Sequence, residues 1–294
     1  MADAASPVDS ALFPTAEEAA RLVVGPDSIT WRLTSDIRLF LAPLYALILQ
    51  VAHPTVAAGV RDYSDFDQRP WERLMRTLDY LVVLQYGGSE AVVVGRRLRE
   101  LHKRFKGTMS DGRSYYALER GAYTWVHATL LETYVRAHEH FGRRMTADEL
   151  ERFYREYVGL GQLVGVHRED LPPTWEGFRA YFERMTAQEL VPNETVERVL
   201  EAARKSASPE IPSLYRVGWR LLSYAPTRAS YLGGVGLLSD RLRERLHISW
   251  SHREELEFQA LSACARSLTP ILPPKLRIFG PTHLRWRRRE IDRF

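Results

Sequence analysis

The chain has 294 residues, 45% apolar and 27% charged, a globular composition long enough for one large domain or two ordinary ones. Its formal charge is only +4, because 41 basic residues are interspersed with 37 acidic ones, which argues against a phosphate-tracking stripe and hence against a nucleic-acid binder. A single cysteine, Cys264, excludes an intrachain disulfide and any all-cysteine zinc or iron–sulfur site within one chain, and it fits a reducing, cytoplasmic compartment.

Helical signals dominate the chain. Ala16 to Val24 reads as a short helix ended by Gly25-Pro26. Between Arg38 and Arg61 there is no Asp, Glu, Lys or Arg, and the length suits a bilayer. The run nevertheless carries Gln50, His53, two prolines and Gly59, so it reads as a buried central helix over Ser35–Val60, bent or ended at Pro54, and not as a membrane span. Pro70 opens a helix that runs to Tyr86, and Gly87-Gly88 breaks it. Ser89 caps the next, to about Phe105, with Val94, Leu98, His102 and Phe105 on one face and Gly107 at the C-terminal end.

Glu119–Phe141 is a long helix, and Thr146 to Glu149 forms a capping box for one that reaches about Val164. Thr174 precedes another, and Asn193 or Pro192 starts one ending at Lys205. Ser206–Pro212 reads as a linker, followed by helices near Ser213–Ser223, Thr227–Arg245 (interrupted at Gly233-Gly234) and His252–Ser267. The C-terminal tail is arginine-rich, with Arg285, Arg287, Arg288 and Arg289. No alternating strand pattern stands out, and the fold class is all-α: a single large helical domain around a buried central helix.

Phosphate loops, dinucleotide fingerprints and serine-nucleophile elbows are absent from the sequence. Only Glu244 to His247 has the Glu-x-x-His spacing, of which a di-iron carboxylate site needs two. His138-Glu139-His140 lies on a polar stretch and reads as a solvated face. More informative are His53, His102 and His127, each amid apolar neighbours. For any one of them a satisfied core histidine is the bland reading. Three in one helical protein point to the alternative, buried imidazole holding haem iron. Arg73 and Thr77 fall i, i+4 on one helix, so one face presents both; the pair reads either as part of a structural salt bridge to Asp62, Asp65 or Asp67, or as donors to an anion or polarised oxygen.

These residues carry a resemblance. Gln50-x-x-His53-Pro54 with Gly59-Val60, then Tyr63-Ser64-x-Phe66, then Pro70-x-x-Arg73-x-x-Arg76-Thr77, is similar to the MpaB-type and rubber oxygenase (latex clearing protein) family. The similarity continues through Leu101-His102-x-x-Phe105-Lys106-Gly107, Trp125-Val126-His127 to Leu130, Glu151-x-Phe153-Tyr154-x-Glu156, Gly165-Val166 and Leu171-Pro172-x-Thr174. It covers roughly residues 30 to 280, and the order and spacing of the motifs, more than any single one, make it specific.

The resemblance implies an all-α fold with a haem pocket, globin-like in the broad sense, a b-type haem held by one proximal histidine, and dioxygen-dependent cleavage of carbon–carbon double bonds in a hydrophobic substrate. Carried over by motif, His102 looks like the iron ligand, with Phe105 beside the cofactor, and Arg73 and Thr77 look like the pocket arginine and threonine. Where the rubber oxygenases place a lysine between those two, this sequence has Arg76, and a permanently protonated arginine is a poor iron ligand. His53 and His127 match the wider pattern, as distal groups or as supports for the ligand.

The expected partners are haem, dioxygen and a hydrophobic, unsaturated or prenylated small molecule or lipid. No nucleic acid and no integral membrane span is expected. Peripheral membrane contact, and a monomer or homodimer, fit the composition. The expected organisation is an N-terminal extension over residues 1–33, a helical oxygenase core over 34–205 and a C-terminal helical portion over 206–294. The competing reading is a haem- or lipid-binding carrier or sensor without oxygenase turnover.

Overall fold

The computed structural model describes residues 13–66, 69–205 and 213–291, with the backbone alone at 70, 71, 213–223 and 287–291. Fifteen α-helices lie among the described residues, and the all-α class holds. Helix α1 (Ala16–Leu22) opens on a capping box between Thr15 and Glu18, and α2 (Ile29–Thr34) follows. The charge-free run expected to form one helix over Ser35–Val60 is instead three pieces: a 3₁₀ turn (Ile37–Leu41), α3 (Pro43–Val51) and α4 (Pro54–Tyr63). The reason is local. Pro43 and Pro54 have no N–H to give a preceding turn, so each starts a helix. The axis bends by 107° between α3 and α4. Leu44, Ile48, Leu49 and Val51 are buried, so α3 is the central core element. Among the described residues no single helix is long and apolar enough to cross a membrane.

Helix α5 (Pro70–Tyr86) and α6 (Glu90–His102) are joined at Gly87-Gly88, where Gly88 has φ +60°. The sequence suggested that α6 runs to Phe105. It stops at His102, and the chain enters a two-stranded antiparallel hairpin, β1 (Lys106–Thr108) with β2 (Ser114–Tyr116), which the absence of an alternating pattern hid. Three-residue strands are too short to show a period of two. Gly107 is therefore a strand residue and not a helix stop.

Helix α7 (Arg120–Phe141) has Glu119, expected as its first residue, as its cap instead; α8 (Ala147–Leu163) is capped by the expected Thr146–Glu149 box, α9 (Trp175–Gln188) by Thr174, and α10 (Glu194–Arg204) by Asn193, one of the two starts the sequence offered. The Ser206–Pro212 linker lies outside the described residues. Beyond it the first expected helix and the start of the second are one, α11 (Ser213–Gly236), continuous through Pro226 and through Gly233-Gly234, while the second's expected end at Arg245 belongs to a separate helix. The glycine pair is a docking face: a Cβ on Gly233 would meet the Leu41 carbonyl oxygen at 2.1 Å, and one on Gly234 the Leu44 Cβ at 2.5 Å. Bare backbone lets α11 lie on α3. Helices α12 (Asp240–Arg245), α13 (His252–Leu268), α14 (Pro274–Arg277) and α15 (Gly280–Ile291) complete the chain. Helix α15 packs on α5 through Leu284 against Val82 and Tyr86.

Two adjoining cavities form the candidate functional site

Helix α5 separates two cavities. The larger, about 290 Å³, lies between α3, α5, α7 and α10; its wall is mainly apolar, with leucine the commonest residue, and Arg73, Thr77 and Gln85 reach it from α5. The smaller, about 100 Å³, lies between α5, α6, α7 and α8, and both His102 and His127 line it. Leu81, Gln85 and Leu130 face both spaces, so these three side chains are the partition.

His102 is the last residue of α6, where a helix carbonyl is still within reach. Its Nδ1 lies 2.7 Å from the Leu98 carbonyl oxygen one turn back. Burial lowers its pKa, with Arg99 adding to that and the Leu98 carbonyl opposing it, so the ring is neutral near pH 7. A neutral ring that donates Nδ1–H to the carbonyl keeps its lone pair on Nε2. Phe105 and Tyr123 stand edge-on to it, at 5.4 and 5.8 Å between ring centres. Phe105 in turn stacks on Tyr63 at 4.6 Å.

His127 presents the other nitrogen to the backbone. Its Nε2 lies 3.0 Å from the Tyr157 carbonyl oxygen, and its ring stacks on Tyr157 at 4.7 Å. Burial pushes its pKa down to about 4. The remaining expected histidine, His53, sits at the α3–α4 bend and lines neither cavity. Its Nδ1 is buried without a hydrogen-bond partner. His138, read as part of a solvated face, is in fact buried, with Nε2 2.8 Å from the Leu33 carbonyl oxygen. Among the described residues no group of three or more His, Cys, Asp or Glu side chains is arranged to hold a metal ion.

In the larger cavity Arg73 is fixed twice: Nε donates to Ser64 Oγ at 2.8 Å and Nη1 to Thr77 Oγ1 at 3.1 Å, while the Thr77 hydroxyl donates to the Arg73 carbonyl at 3.1 Å. Among the described residues it makes no ion pair, so neither Asp62 nor Asp65 is what holds it; Asp67, the third partner weighed from sequence, lies outside the described residues. Burial, then the charge of Arg76, lowers its pKa, and Asp65 opposes. Arg76 lies outward, its side chain 60% exposed and bound to Asp65 Oδ1 at 2.7 Å, and it lines neither cavity. The structure thus joins Arg73 with Thr77 and His102 with His127, and leaves Arg76 and His53 apart.

Sequence reasoning missed the partition. Gln85 donates from Nε2 to the Tyr134 hydroxyl at 2.7 Å, and Tyr134 is hydrogen-bonded in turn to Tyr157. Burial holds both phenols protonated. A buried polar chain thus runs through the wall between the cavities. Its only sequence signal was Gln85 itself, a polar residue at the end of an apolar run.

Residues 31–267 match the family described as ER-bound oxygenase mpaB/B'/Rubber oxygenase, catalytic domain. Two relatives are the uncharacterized proteins Mb2261 of Mycobacterium bovis and Rv2237 of Mycobacterium tuberculosis. Each is 23% identical to this chain over 244 residues, covering 81% of this chain and 92% of its own length. No solved structure matches.

Proposed function

The chain belongs to the MpaB/rubber oxygenase catalytic-domain family, an oxygenase and therefore oxidoreductase family, and on that premise we propose that it is a haem b-dependent oxygenase using dioxygen on a hydrophobic, unsaturated or prenylated small molecule or lipid. The observation that carries the reading is His102: a neutral imidazole beside a cavity, with Nδ1 engaged by its own helix and Nε2 left as the available lone pair. That is the donor state a haem iron requires, and the carbonyl at Nδ1 fixes ring orientation and tautomer as the outer partner of a metal-bound histidine does. Phe105 and Tyr123 supply aromatic edges around that ring.

The volumes set a condition. About 100 Å³ lies below the ~300 Å³ at which small-molecule sites begin. A macrocycle on His102 therefore needs both cavities, with Leu81, Gln85 and Leu130 drawn aside. Haem, when bound, supplies the redox iron chemistry that dioxygen needs. The chain's own part is distinct. His102 holds the cofactor. The apolar lining accepts the substrate's hydrocarbon and excludes water. Arg73 has N–H groups beyond the two used by Ser64 and Thr77, and they are oriented in advance to donate to an oxygen atom at the polar end of the cavity.

Purified protein supplied with haem is expected to show a Soret band. Oxygen consumption with unsaturated lipids then separates turnover from carriage. A His102→Ala protein that retains a full complement of haem overturns the ligand assignment.

A further inference from the structure

The C-terminal segment differs from the rest of the chain in charge. From residue 258 to residue 289 there is not one Asp or Glu, although the chain carries 37, and the same stretch holds Arg266, Lys275, Arg277, Arg285 and Arg287–Arg289. Elsewhere basic and acidic residues alternate and pair, as Arg228 does with Glu254 and Glu257. Here Lys275 and Arg277 have no carboxylate near them in sequence to pair with.

The same segment exposes its apolar side chains. Leu268 is 54% exposed, Ile271 75%, Leu276 59% and Ile278 43%. Other exposed apolar residues are scattered singly, and Leu256 is flanked by Glu255 and Glu257. Pro270, Pro273 and Pro274 prevent a continuous helix, so the segment folds as a 3₁₀ turn (Thr269–Ile271) and the single turn of α14. It is anchored at its end: Ile278 bridges to Asp36, and the Phe279 N–H donates to the Ser35 carbonyl at 2.8 Å. The next two residues, Phe279 and Gly280, are part of the wall of the larger cavity.

We propose that residues 268–278 are a docking surface for a lipid bilayer with anionic headgroups, its aliphatic side chains entering the interface while Lys275, Arg277 and Arg285 meet the headgroups. Exposed aliphatics grouped on one segment are costly in water and are the usual mark of a surface that is covered in use. The basic, acid-free sequence of the segment chooses the cover, the nearby Asp36 and Asp79 being engaged by Arg38 and His283: an anionic interface attracts each Lys and Arg within a Debye length. A nucleic acid would satisfy the charge but not Ile271 and Leu276, since strand-binding surfaces present aromatic stacking groups. Docking here sets a wall of the apolar cavity against the membrane, a source of hydrophobic ligand. The inference does not depend on haem and holds for the chain with or without it.

The test is co-sedimentation of the full chain with vesicles of phosphatidylcholine alone and of phosphatidylcholine mixed with phosphatidylglycerol, at low and high salt. The expected result is partitioning onto the anionic vesicles larger by on the order of tenfold or more, weakened by salt. Ile271→Glu/Leu276→Glu and, separately, Lys275→Gln/Arg277→Gln should each reduce it, with thermal melts like that of the unaltered chain. The second pair, exposed Lys275 and half-buried Arg277, removes charge without touching a core side chain and keeps the test valid if the first fails to fold. Equal partitioning onto both vesicle types overturns the proposal, as does binding that the variants leave unchanged. Tight binding to duplex DNA that survives Ile271→Glu/Leu276→Glu, with no vesicle binding, also overturns it.

Discussion

The two walls of the small cavity carry the same residue in opposite states. On α6, His102 gives Nδ1 to a carbonyl of its own helix and keeps Nε2. On α7, His127 engages Nε2 with the Tyr157 carbonyl of the facing helix, and its ring lies flat on Tyr157. Both walls seat on α8 at a glycine. A Cβ on Gly95 of α6 would lie 2.0 Å from the Leu163 carbonyl oxygen, and one on Gly161 of α8 would lie 2.8 Å from His127 Nε2. Composition around the two histidines is alike, so it does not say which can be a ligand. The backbone carbonyl nearest each ring sets which nitrogen is engaged and which is left over.

The largest expected effect sets the two histidines against each other. Replacing His102 by Ala should lower the haem retained after reconstitution and gel filtration by on the order of 100-fold. Replacing His127 by Ala should leave haem bound and instead weaken the fold, by about 2–4 kcal/mol, because a buried aromatic-stacked ring leaves a void. The readouts are the Soret absorbance per chain and the denaturant midpoint. Equal loss of haem in both variants would erase the distinction.

Next in size are the two glycines. At Gly95 the obstacle is backbone, which cannot rotate away, so Gly95→Ala must push α6 off α8 and should cost on the order of 3 kcal/mol or more. At Gly161 the obstacle is the His127 ring, which can shift a little, and Gly161→Ala should cost about 1–3 kcal/mol. Urea midpoints measure both. The order is the sharp part of the prediction: if Gly161→Ala proves the more damaging, the α7 wall and not the α6 wall is the rigid one.

Much of this was legible beforehand. Thr146, Thr174 and Asn193 marked helix starts because side-chain acceptors for orphan N–H groups are a local matter. Arg73 and Thr77 fell together because i, i+4 geometry is fixed by the helix. What escaped was set by contact at a distance. Gly233-Gly234 looked like a break and is a close-packing face, because only the approach of Leu41 and Leu44 gives the pair its meaning. His53 and His102 looked equivalent, yet the bend at Pro54 carries one away from the cavities. Gln85 joined the site through a tyrosine 49 positions away, which no periodicity reveals.

The smallest effect concerns pH and separates two groups on α7, His127 on the cavity wall and Glu132 away from it. Glu132 is buried, its Oε2 has no hydrogen-bond partner, and Arg179 is 3.8 Å from Oε1. Burial pushes its pKa up from 4.5 to about 7, against the pull of Arg179 and Arg136. The folded chain therefore binds this proton more readily than the unfolded one, and the stability it confers is present below pH ~4.5 and is lost as pH rises to ~7. His127 has the opposite sign. Its folded pKa of about 4 lies below the unfolded 6.5, so stability is present above pH ~6.5 and is lost as pH falls toward 4. The two slopes oppose each other between pH ~4.5 and ~6.5, and a simple pH profile of the native chain would hide both. Glu132→Gln removes one. The variant should gain on the order of 1–3 kcal/mol over the native chain at pH 8 relative to its standing at pH 4.5, because the amide does not titrate and its own burial cost is the same at both pH values. Urea midpoints of both chains across that range measure the difference. A flat difference would mean that Arg179 and Arg136 keep Glu132 ionised throughout, and that His127 alone of the two titrates.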